Sequence, residues 1–369
     1  MNAFCILFSD NNHTSKMGEL TANRAIASIP FGGRFRLVDF MLSSLVAGNV
    51  SNIGIVAKNN YGSLMDHIGW GKDWDLNRKN GGVKFLTPYI EDADAVIGEN
   101  KIESLNSIMG FIKNSLPEYC IICDGNIVCS INFEDIMEEH QRVGADITFA
   151  YKNMKPCAKE LEVFVDENGR LVDTLYHTSD VDKNGNVVLN IMLLKKDLLI
   201  SLVEQGITYG WTSIKRDVFS RNFNSMNIHG YEVDGYVSVI KDINDYYNTS
   251  MSLLNEDVRR AFYYSEIPIL TRIKDSVPTI YGDNCSVKNS LIADGCNING
   301  NVENCIIFRD VKIENGAVLK NCIIMQNTVL REGSSLSYVI TDKDVEITSG
   351  QSLSGSLSMP FIINKGKKV

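Results

Sequence analysis

The sequence contains no uninterrupted run of about 18 apolar residues, so it predicts no membrane-spanning helix. It also has no excess of basic residues: 36 Lys and Arg stand against 45 Asp and Glu, and the formal net charge of −9 would repel nucleic acid phosphates. Neither a basic segment nor a small-residue cleavage site marks Met1 to Cys5, which is typical of a first strand rather than a signal peptide. We therefore expect a cytoplasmic protein whose partners include neither a membrane nor nucleic acid.

The cysteines show no pairing pattern. Their number, nine, is odd, and stretches such as Tyr119–Cys123 surround them with apolar residues, where a thiol behaves as a small buried side chain. Cys120 and Cys123 form a C-x-x-C pair, but no second pair follows at the spacing of a zinc site. We expect free cysteines in strand cores rather than disulfides, a metal site or a redox centre.

The first 250 of the 369 residues alternate short apolar runs with amphipathic stretches. Four runs are typical of buried strands: Ala3–Phe8, Ile53–Ala57, Tyr119–Cys123 and Ile147–Tyr151. Two stretches carry apolar residues at helical spacing: Leu37–Leu45 and Phe133–Val143. This alternation predicts an α/β domain over residues 1–250, with a mostly parallel sheet covered by helices on both faces.

A repeat replaces this alternation after about residue 278. A string of the form Asn-Ser/Cys-Leu/Ile-Ile follows Lys288, Glu303 and Lys320, and a looser copy follows Leu336, at spacings of 15, 17 and 16 residues. Apolar residues recur in steps of six, which predicts three short strands per coil of a parallel β-helix over residues 278–369. An antiparallel sandwich is less favoured, because its strands rarely repeat one string in register. Apolar residues at helical spacing in Tyr246–Tyr264 predict a linking helix, and with the loop that follows it joins the domains over residues 251–277.

The segment Ser28-Ile-Pro-Phe-Gly-Gly-Arg-Phe-Arg-Leu-Val-Asp-Phe40 resembles the stretch after the nucleotide loop of bacterial ADP-glucose pyrophosphorylases, also called glucose-1-phosphate adenylyltransferases. Shorter similarities follow in the same order at Asp92–Val96, Cys123–Asn126 and Asp245–Leu254. The resemblance implies a nucleotidyltransferase-like (Rossmann-like) domain followed by a left-handed parallel β-helix. Within the family, the chain is most similar to the second, non-catalytic-type subunit that some Gram-positive bacteria use in glycogen biosynthesis.

The family's reaction joins ATP and glucose 1-phosphate into ADP-glucose and pyrophosphate, and it needs a glycine-rich loop, basic residues and magnesium. The resemblance puts the loop at Phe8–His13, where Ser9, Asp10 and Asn11 replace glycines that would let backbone amides approach a phosphate. Asp10 would also add negative charge beside a triphosphate. Ile26 stands in place of a family lysine, so a further phosphate contact is missing.

Two carboxylates hold the magnesium ion in the family. Asp124, at the end of an apolar strand, matches one of them, whereas Val239 stands in place of the other and Lys241 replaces a nearby glycine. His177 falls near a glutamate–lysine pair that would grip the sugar phosphate, and Glu91–Asp92 replace a glycine and a threonine of the base-binding segment. The resemblance therefore implies little or no activity alone, no resident metal, and magnesium only if a nucleotide binds.

Three arginines are candidates for an effector site. Arg24 and Arg36 match basic positions beside the family's regulatory site, and Arg34 stands between them. The implied ligand is a phosphorylated sugar or another small anion, and the alternative is that these arginines are solvated or salt-bridged. Because family members are tetramers, the implied protein partner is the catalytic adenylyltransferase subunit, in a heterotetramer.

Three other functions can be compared with the sequence. Acyl transfer on the β-helix is disfavoured because its usual general base is a histidine on a coil, and all five histidines precede the repeat. An active sugar-phosphate nucleotidyltransferase with an atypical loop stays open because Asp124 is retained. A purely structural subunit stays open as well. Titration with magnesium–ATP separates the active transferase from a regulatory subunit, and the response of a catalytic partner separates the structural one.

Overall fold

A computed structural model of the chain describes residues 1–10, 14–88, 101–222 and 225–369. Asn11 and the segment Glu91–Asp92, both discussed above, lie outside these residues. Within the described residues, no helix is both long enough and apolar enough to cross a bilayer.

Thirteen strands belong to the first domain as described. In chain order they are β1 (Ala3–Phe8), β2 (Pro30–Phe31), β3 (Phe35–Arg36), β4 (Asn52–Val56), β5 (Gly82–Leu86), β6 (Tyr119–Asp124), β7 (Ile127–Cys129), β8 (Ile147–Met154), β9 (Leu161–Val165), β10 (Leu171–Tyr176), β11 (Gly185–Lys195), β12 (Ile228–Glu232) and β13 (Val237–Val239). The runs predicted at β1, β4, β6 and β8 are confirmed as strands.

The described helices alternate with these strands. In chain order they are α1 (Leu37–Ala47), α2 (Gly62–Ile68), α3 (Lys101–Ser107), α4 (Met109–Asn114), α5 (Phe133–Val143), α6 (Lys196–Tyr209), α7 (Phe219–Asn222), α8 (Ile243–Ser252) and α9 (Glu256–Tyr263). Residues at both ends of α5 stop the helix. At the N-terminus the Asn132 side chain accepts from the Glu134 amide at 3.0 Å, and at the C-terminus Gly144 takes a left-handed conformation with φ 61°.

The main sheet has nine strands and a parallel centre in the order β6-β1-β4-β5. β8 and β12 form a further parallel pair, whereas β11 is antiparallel to β6, β8 and β9, and β10 is antiparallel to β9. Two clusters of buried apolar side chains cover the two faces, as the mostly parallel α/β prediction requires. An apolar run does not reveal strand direction, so the antiparallel β11 was not indicated by the sequence.

The segment Tyr246–Tyr264 differs from the prediction of one linking helix. It contains two helices, α8 and α9, separated at Leu253–Asn255. The Asn255 side chain accepts from the Asp257 amide at 2.8 Å and so starts a new helix. The extended chain after α9 then leads to the second domain.

The second domain is the predicted β-helix. Its strands are β14 (Ile280–Tyr281), β15 (Ser286–Lys288), β16 (Leu291–Ile292), β17 (Asn297–Ile298), β18 (Asn301–Glu303), β19 (Ile306–Ile307), β20 (Lys312–Ile313), β21 (Val318–Lys320), β22 (Ile323–Ile324), β23 (Val329–Leu330), β24 (Ser335–Ser337), β25 (Val339–Thr341), β26 (Glu346–Ile347), β27 (Ser352–Ser354) and β28 (Phe361–Ile363). They form three parallel sheets of five strands, one strand per sheet in each coil, as in left-handed hexapeptide-repeat domains.

The asparagine and the two isoleucines of the repeated string each have a structural reason. Asn289, Asn304 and Asn321 turn a corner with φ of 42°, 51° and 52°, a left-handed conformation that asparagine tolerates better than most residues. In the two central copies the second isoleucine, Ile307 or Ile324, packs inside the coil.

The first isoleucine of the string packs against the sheet domain instead. Ile306 and Ile323, stacked in register with Ile340 of the next coil, join the same buried cluster as Phe31 and Tyr246. The repeat therefore encodes both the interior of the β-helix and its apolar contact with the first domain.

Candidate functional site: a basic cavity and the cleft at Asp124

The loop after β1 uses its polar side chains to bond the chain itself. Ser9 is fully buried, and its hydroxyl lies 3.2 Å from one oxygen of Asp10. The other oxygen of Asp10 accepts from the backbone amide of Ile26 at 3.1 Å. A carboxylate of the protein therefore engages a backbone amide at the position where the family resemblance predicts a phosphate contact.

Asp124 ends β6 directly beside Phe8, its register partner at the end of β1. Its side chain is fully buried. One carboxylate oxygen accepts from the ammonium group of Lys101, the first residue of α3, and the other accepts from the Asn190 amide on β11 at 2.7 Å. Both oxygens of the retained family carboxylate are thus bonded to protein donors.

Glu160, which also lines this cleft, belongs to a second carboxylate–lysine pair. Glu160 accepts from the Cys157 backbone amide at 2.7 Å and lies 3.2 Å from Nζ of Lys241. Burial alone would lower the pKa of Lys241, but the Glu160 carboxylate and the Cys157 side chain raise it above its usual value. Lys241 therefore stays charged at neutral pH.

Two other predicted positions lie in or near this cleft. Val239, the last residue of β13, lines it. His177 lies 2.7 Å from a carboxylate oxygen of Glu162, so it takes part in a local pair where the family has a glutamate and a lysine.

The cleft encloses about 1020 Å³, including solvent at its mouth, and its charged lining has more cations than anions. That lining consists of Lys101, Asp124, Lys159, Glu160, Lys215 and Arg216. Lys215 has a pKa lowered to about 8, first by burial and then by repulsion from Lys101. The electrostatics of the cleft would attract an anion and disfavour an additional cation.

A second cavity, of about 550 Å³ including solvent at its mouth, lies between the two domains, and we call it the basic cavity. Seven of its lining residues carry basic side chains: Arg34, Arg36, His67, Arg272, Lys274, Arg309 and Lys343. They come from the β2–β3 turn, α2, the extended segment after α9, and the β-helix. The structure thus brings Arg34 and Arg36 together with basic residues from distant parts of the chain.

One corner of the β-helix supplies a row of side chains to the basic cavity. Arg309, Gln326 and Lys343 all line it and precede residues with φ near 60°, namely Asp310, Asn327 and Asp344. The amide of each corner residue bonds a carbonyl of the coil before it, as in Asn327 to Arg309 at 3.2 Å and Asp344 to Gln326 at 3.0 Å. Successive coils therefore place these three side chains in one stack.

Asp39 ties the sheet-domain side of the basic cavity together. Its fully buried carboxylate lies 2.6 Å from Nε2 of His67 and accepts from the Thr271 hydroxyl at 2.6 Å. It also accepts from the Arg36 backbone amide at 2.9 Å, which starts α1. One carboxylate thus fixes Arg36, α2 and the linker that carries Arg272.

Burial and repulsion between neighbouring cations lower the pKa values of several basic groups in this cavity. The pKa of Arg36 is lowered to about 10 and that of Lys343 to about 7, in both cases mainly by burial. Arg24 contributes to both shifts, Arg36 also acts on Lys343, and Lys274 is lowered by burial and by Arg309. Because an anion would relieve this repulsion, these shifts favour an anionic ligand.

Sequence comparison gives the family. Glycogen biosynthesis protein GlgD of Geobacillus stearothermophilus is 39% identical over 351 residues, covering 94% of this chain and 92% of that protein. GlgD of Bacillus subtilis (strain 168) is 33% identical over 315 residues, covering 85% and 82%. This chain belongs to the GlgD family of glycogen biosynthesis proteins.

More distant matches agree with both domains. A glucose-1-phosphate adenylyltransferase of Clostridium perfringens (strain 13 / Type A) is 26% identical over 315 residues, covering 83% of this chain and 79% of that protein. The nucleotidyl transferase family matches residues 13–159, and the GlmU-like C-terminal hexapeptide family matches residues 277–355. The predicted nucleotidyltransferase family and hexapeptide repeat are thus confirmed.

Arg24 differs from Arg34 and Arg36, the other two arginines expected at the effector site. It is 4% exposed, and its guanidinium makes two hydrogen bonds, of 2.9 and 2.8 Å, with the carboxylate of Asp342 in the β-helix. This ion pair between the domains favours the salt-bridged alternative for Arg24, and an effector role for it stays a prediction. Arg34 is exposed and Arg36 half-buried, and both face the basic cavity.

Most of the basic residues in the basic cavity and in the cleft at Asp124 were not predicted from the sequence. Lys101 and Lys215 occur in no motif that the resemblance covers. A signal existed for Arg309 and Lys343, because aligning the β-helix coils by their Asp or Asn corners puts both at one position of the repeat. Arg272 and Lys274 lie in a linker without periodicity, so nothing local marked them.

Proposed function

We propose that this chain is a regulatory, catalytically impaired subunit that assembles with a catalytic glucose-1-phosphate adenylyltransferase subunit in glycogen biosynthesis. In this proposal it modulates the partner's activity through its interfaces, and a phosphorylated sugar or another small anion binds in the basic cavity. A heterotetramer is the assembly that the family's tetramers imply.

The basic cavity is the observation that carries the proposal. Its basic side chains come from both domains and from the segment that joins them, so a bound anion would contact all three. A ligand that contacts both domains can favour one relative arrangement of them, and it shifts an equilibrium only by its difference in affinity for the two arrangements. Contacts with a partner subunit can pass such a bias on.

The cleft at Asp124 supports the loss of catalysis. Phosphoryl chemistry of this kind depends on backbone amides for the phosphates and carboxylates for magnesium. Here Asp10 engages the Ile26 amide, Asp124 is bonded to Lys101 and Asn190, and Val239 is apolar. The chain keeps the scaffold of the site with a different set of charges.

The decisive experiment combines two assays. Pyrophosphorolysis of ADP-glucose by the purified chain should show no turnover above background. Adding the chain to the catalytic subunit should change that subunit's apparent affinity for substrate or its response to an anionic effector. Turnover of the chain alone at a rate comparable with the catalytic subunit would contradict the proposal.

Two alternatives make different predictions. An active transferase with an atypical loop, favoured by the retained Asp124, would bind magnesium–ATP in calorimetric titration of the isolated chain and would turn over. A purely structural subunit would assemble with the partner and leave both its substrate affinity and its effector response unchanged.

A further inference from the structure

The residues around Asp124 do not fit the magnesium ion that the family resemblance implies. A magnesium site of this kind uses carboxylate oxygens with room for water. Asp124 has no exposed surface, and its oxygens accept from Lys101 and Asn190. Val239, in place of the second family carboxylate, offers no ligand atom at the side chain.

Lys101 is held at Asp124 by two interactions. Its side chain is only 15% exposed, and its ammonium group donates to the carboxylate. The same nitrogen lies 4.7 Å from the centre of the Phe8 ring, within cation–π range. Phe8 ends β1 and Asp124 ends the neighbouring β6, so the ammonium lies at the carboxyl edge of two parallel strands.

A second carboxylate that lines the cleft, Glu160, is also paired with a lysine. Glu160, buried to 6% exposure, has one oxygen on the Cys157 amide and the other near the ammonium of Lys241. Each of these two buried carboxylates is therefore neutralised by a lysine. A divalent ion at Asp124 would have to displace the Lys101 ammonium group or lie beside it.

We propose that the Lys101 ammonium group is a built-in cation that takes the place of a divalent metal at Asp124, so that this cleft neither binds nor needs Mg²⁺. The inference rests on the proposed loss of catalysis and gives it a physical cause. The missing glycine-rich loop accounts for lost phosphate contacts without any role for Lys101. The inference gives Lys101 a separate role, at the position of the metal.

Manganese(II) provides a direct test, because free and bound Mn²⁺ differ in electron paramagnetic resonance. The full-length wild-type chain and the Asp124→Asn variant should bind Mn²⁺ equally, since any binding elsewhere on this acidic protein is common to both. Lys101→Ala should gain Mn²⁺ affinity of about tenfold or more, equivalent to about 1.4 kcal/mol. The gain should disappear in the Lys101→Ala/Asp124→Asn double variant.

Lys113→Ala is the matched control, because Lys113 is an exposed lysine on the next helix, paired with Glu204 at 3.4 Å. It should bind Mn²⁺ as the wild type does. Tighter Mn²⁺ binding by wild type than by Asp124→Asn would overturn the inference, and so would a folded Lys101→Ala chain with no gain over the double variant. The first comparison stays decisive even if Lys101→Ala does not fold.

This experiment requires neither the catalytic subunit nor an activity assay. A chain that fails to modulate a catalytic subunit would therefore contradict the proposed function and leave the Mn²⁺ result standing. Conversely, Mn²⁺ binding at Asp124 in the wild type would remove the inference while leaving the basic cavity and its proposed role in place.

Discussion

Arg24 and Asp342 meet across the boundary between the two domains, 318 positions apart in the chain, in an ion pair with two parallel hydrogen bonds. Their side chains are 5% and 3% exposed. The pair fixes the β-helix to the sheet domain at a charged point next to the apolar contact made by Ile306, Ile323 and Ile340. The guanidinium of Arg24 also contributes to the lowered pKa values of Arg36 and Lys343, and Asp342 opposes the shift at Lys343.

Breaking this pair should be costly. Arg24→Leu leaves the Asp342 carboxylate buried without its partner, and the expected loss of unfolding free energy is about 3–5 kcal/mol. Urea unfolding followed by circular dichroism measures it. The double variant Arg24→Leu/Asp342→Leu should recover part of the loss, because two apolar side chains need no charge compensation. Equal destabilisation of the single and double variants would contradict the assignment.

Anion binding in the basic cavity should weaken as pH rises. Lys343 has a pKa lowered to about 7 by burial and by Arg36 and Arg24, with Asp342 opposing the shift and Lys274 adding to it. The protonated form, present below that pKa, attracts an anion, and the neutral form above it does not.

Sulfate is the suitable probe, because its charge is constant between about pH 6 and about pH 8, where Lys343 titrates. Calorimetry should give a lower affinity at the higher pH. Lys343→Arg, whose side chain stays charged, should largely remove this dependence. An unchanged affinity in the wild type over this range would show that Lys343 does not contact the anion.

Arg36→Ala should raise the effector concentration that gives half of the maximal response in the reconstituted complex. The expected increase is about tenfold, equivalent to about 1.4 kcal/mol. Arg36 lines the basic cavity and is oriented by a 2.9 Å hydrogen bond from its guanidinium to the Ser63 hydroxyl. Arg142→Ala is the control, since Arg142 is 69% exposed on α5 and pairs with Glu139. An identical response of both variants would remove Arg36 from the site.

Asn321→Val should destabilise the chain by about 1–2 kcal/mol, because a branched side chain tolerates the left-handed conformation poorly. Asn321 has φ 52° at a β-helix corner, and its carbonyl accepts from the Tyr247 hydroxyl at 2.8 Å. Asn321→Gly keeps the carbonyl and permits that φ, so it should be close to wild type. Thermal unfolding compares the two, and equal melting temperatures would argue against strain at this corner.

Much of the fold could be predicted from the sequence, because strands, helices and repeats each leave a pattern within a short stretch of residues. The buried run Ala3–Phe8 and the amphipathic stretch Phe133–Val143 have the bounds of β1 and α5. The change from helical spacing to a repeated string gave the β-helix. Tyr246–Tyr264 kept helical spacing across a break, so the cap at Asn255 was overlooked.

The sites were predicted less completely, because their partners are distant in sequence. Arg36 was found through a motif, whereas Lys343 reaches the same cavity only once the coils stack against the sheet domain. Asp124 was predicted from its position at a strand end. The hydrogen bonds to both of its carboxylate oxygens come from Lys101 on α3 and Asn190 on β11, which are distant in sequence. Sequence indicated which family groups were missing, but not that Lys101 and Asn190 bond Asp124.

The central proposal is that this chain acts by modulating a catalytic subunit and not by its own turnover. The most direct measurement is ADP-glucose synthesis by the catalytic subunit over a range of effector concentrations, with and without the purified chain, beside the chain alone. We predict no synthesis by the chain alone and a shifted effector response of the partner when the chain is present. Synthesis by the chain alone at the partner's rate, or a partner response that the chain leaves unchanged, would contradict it.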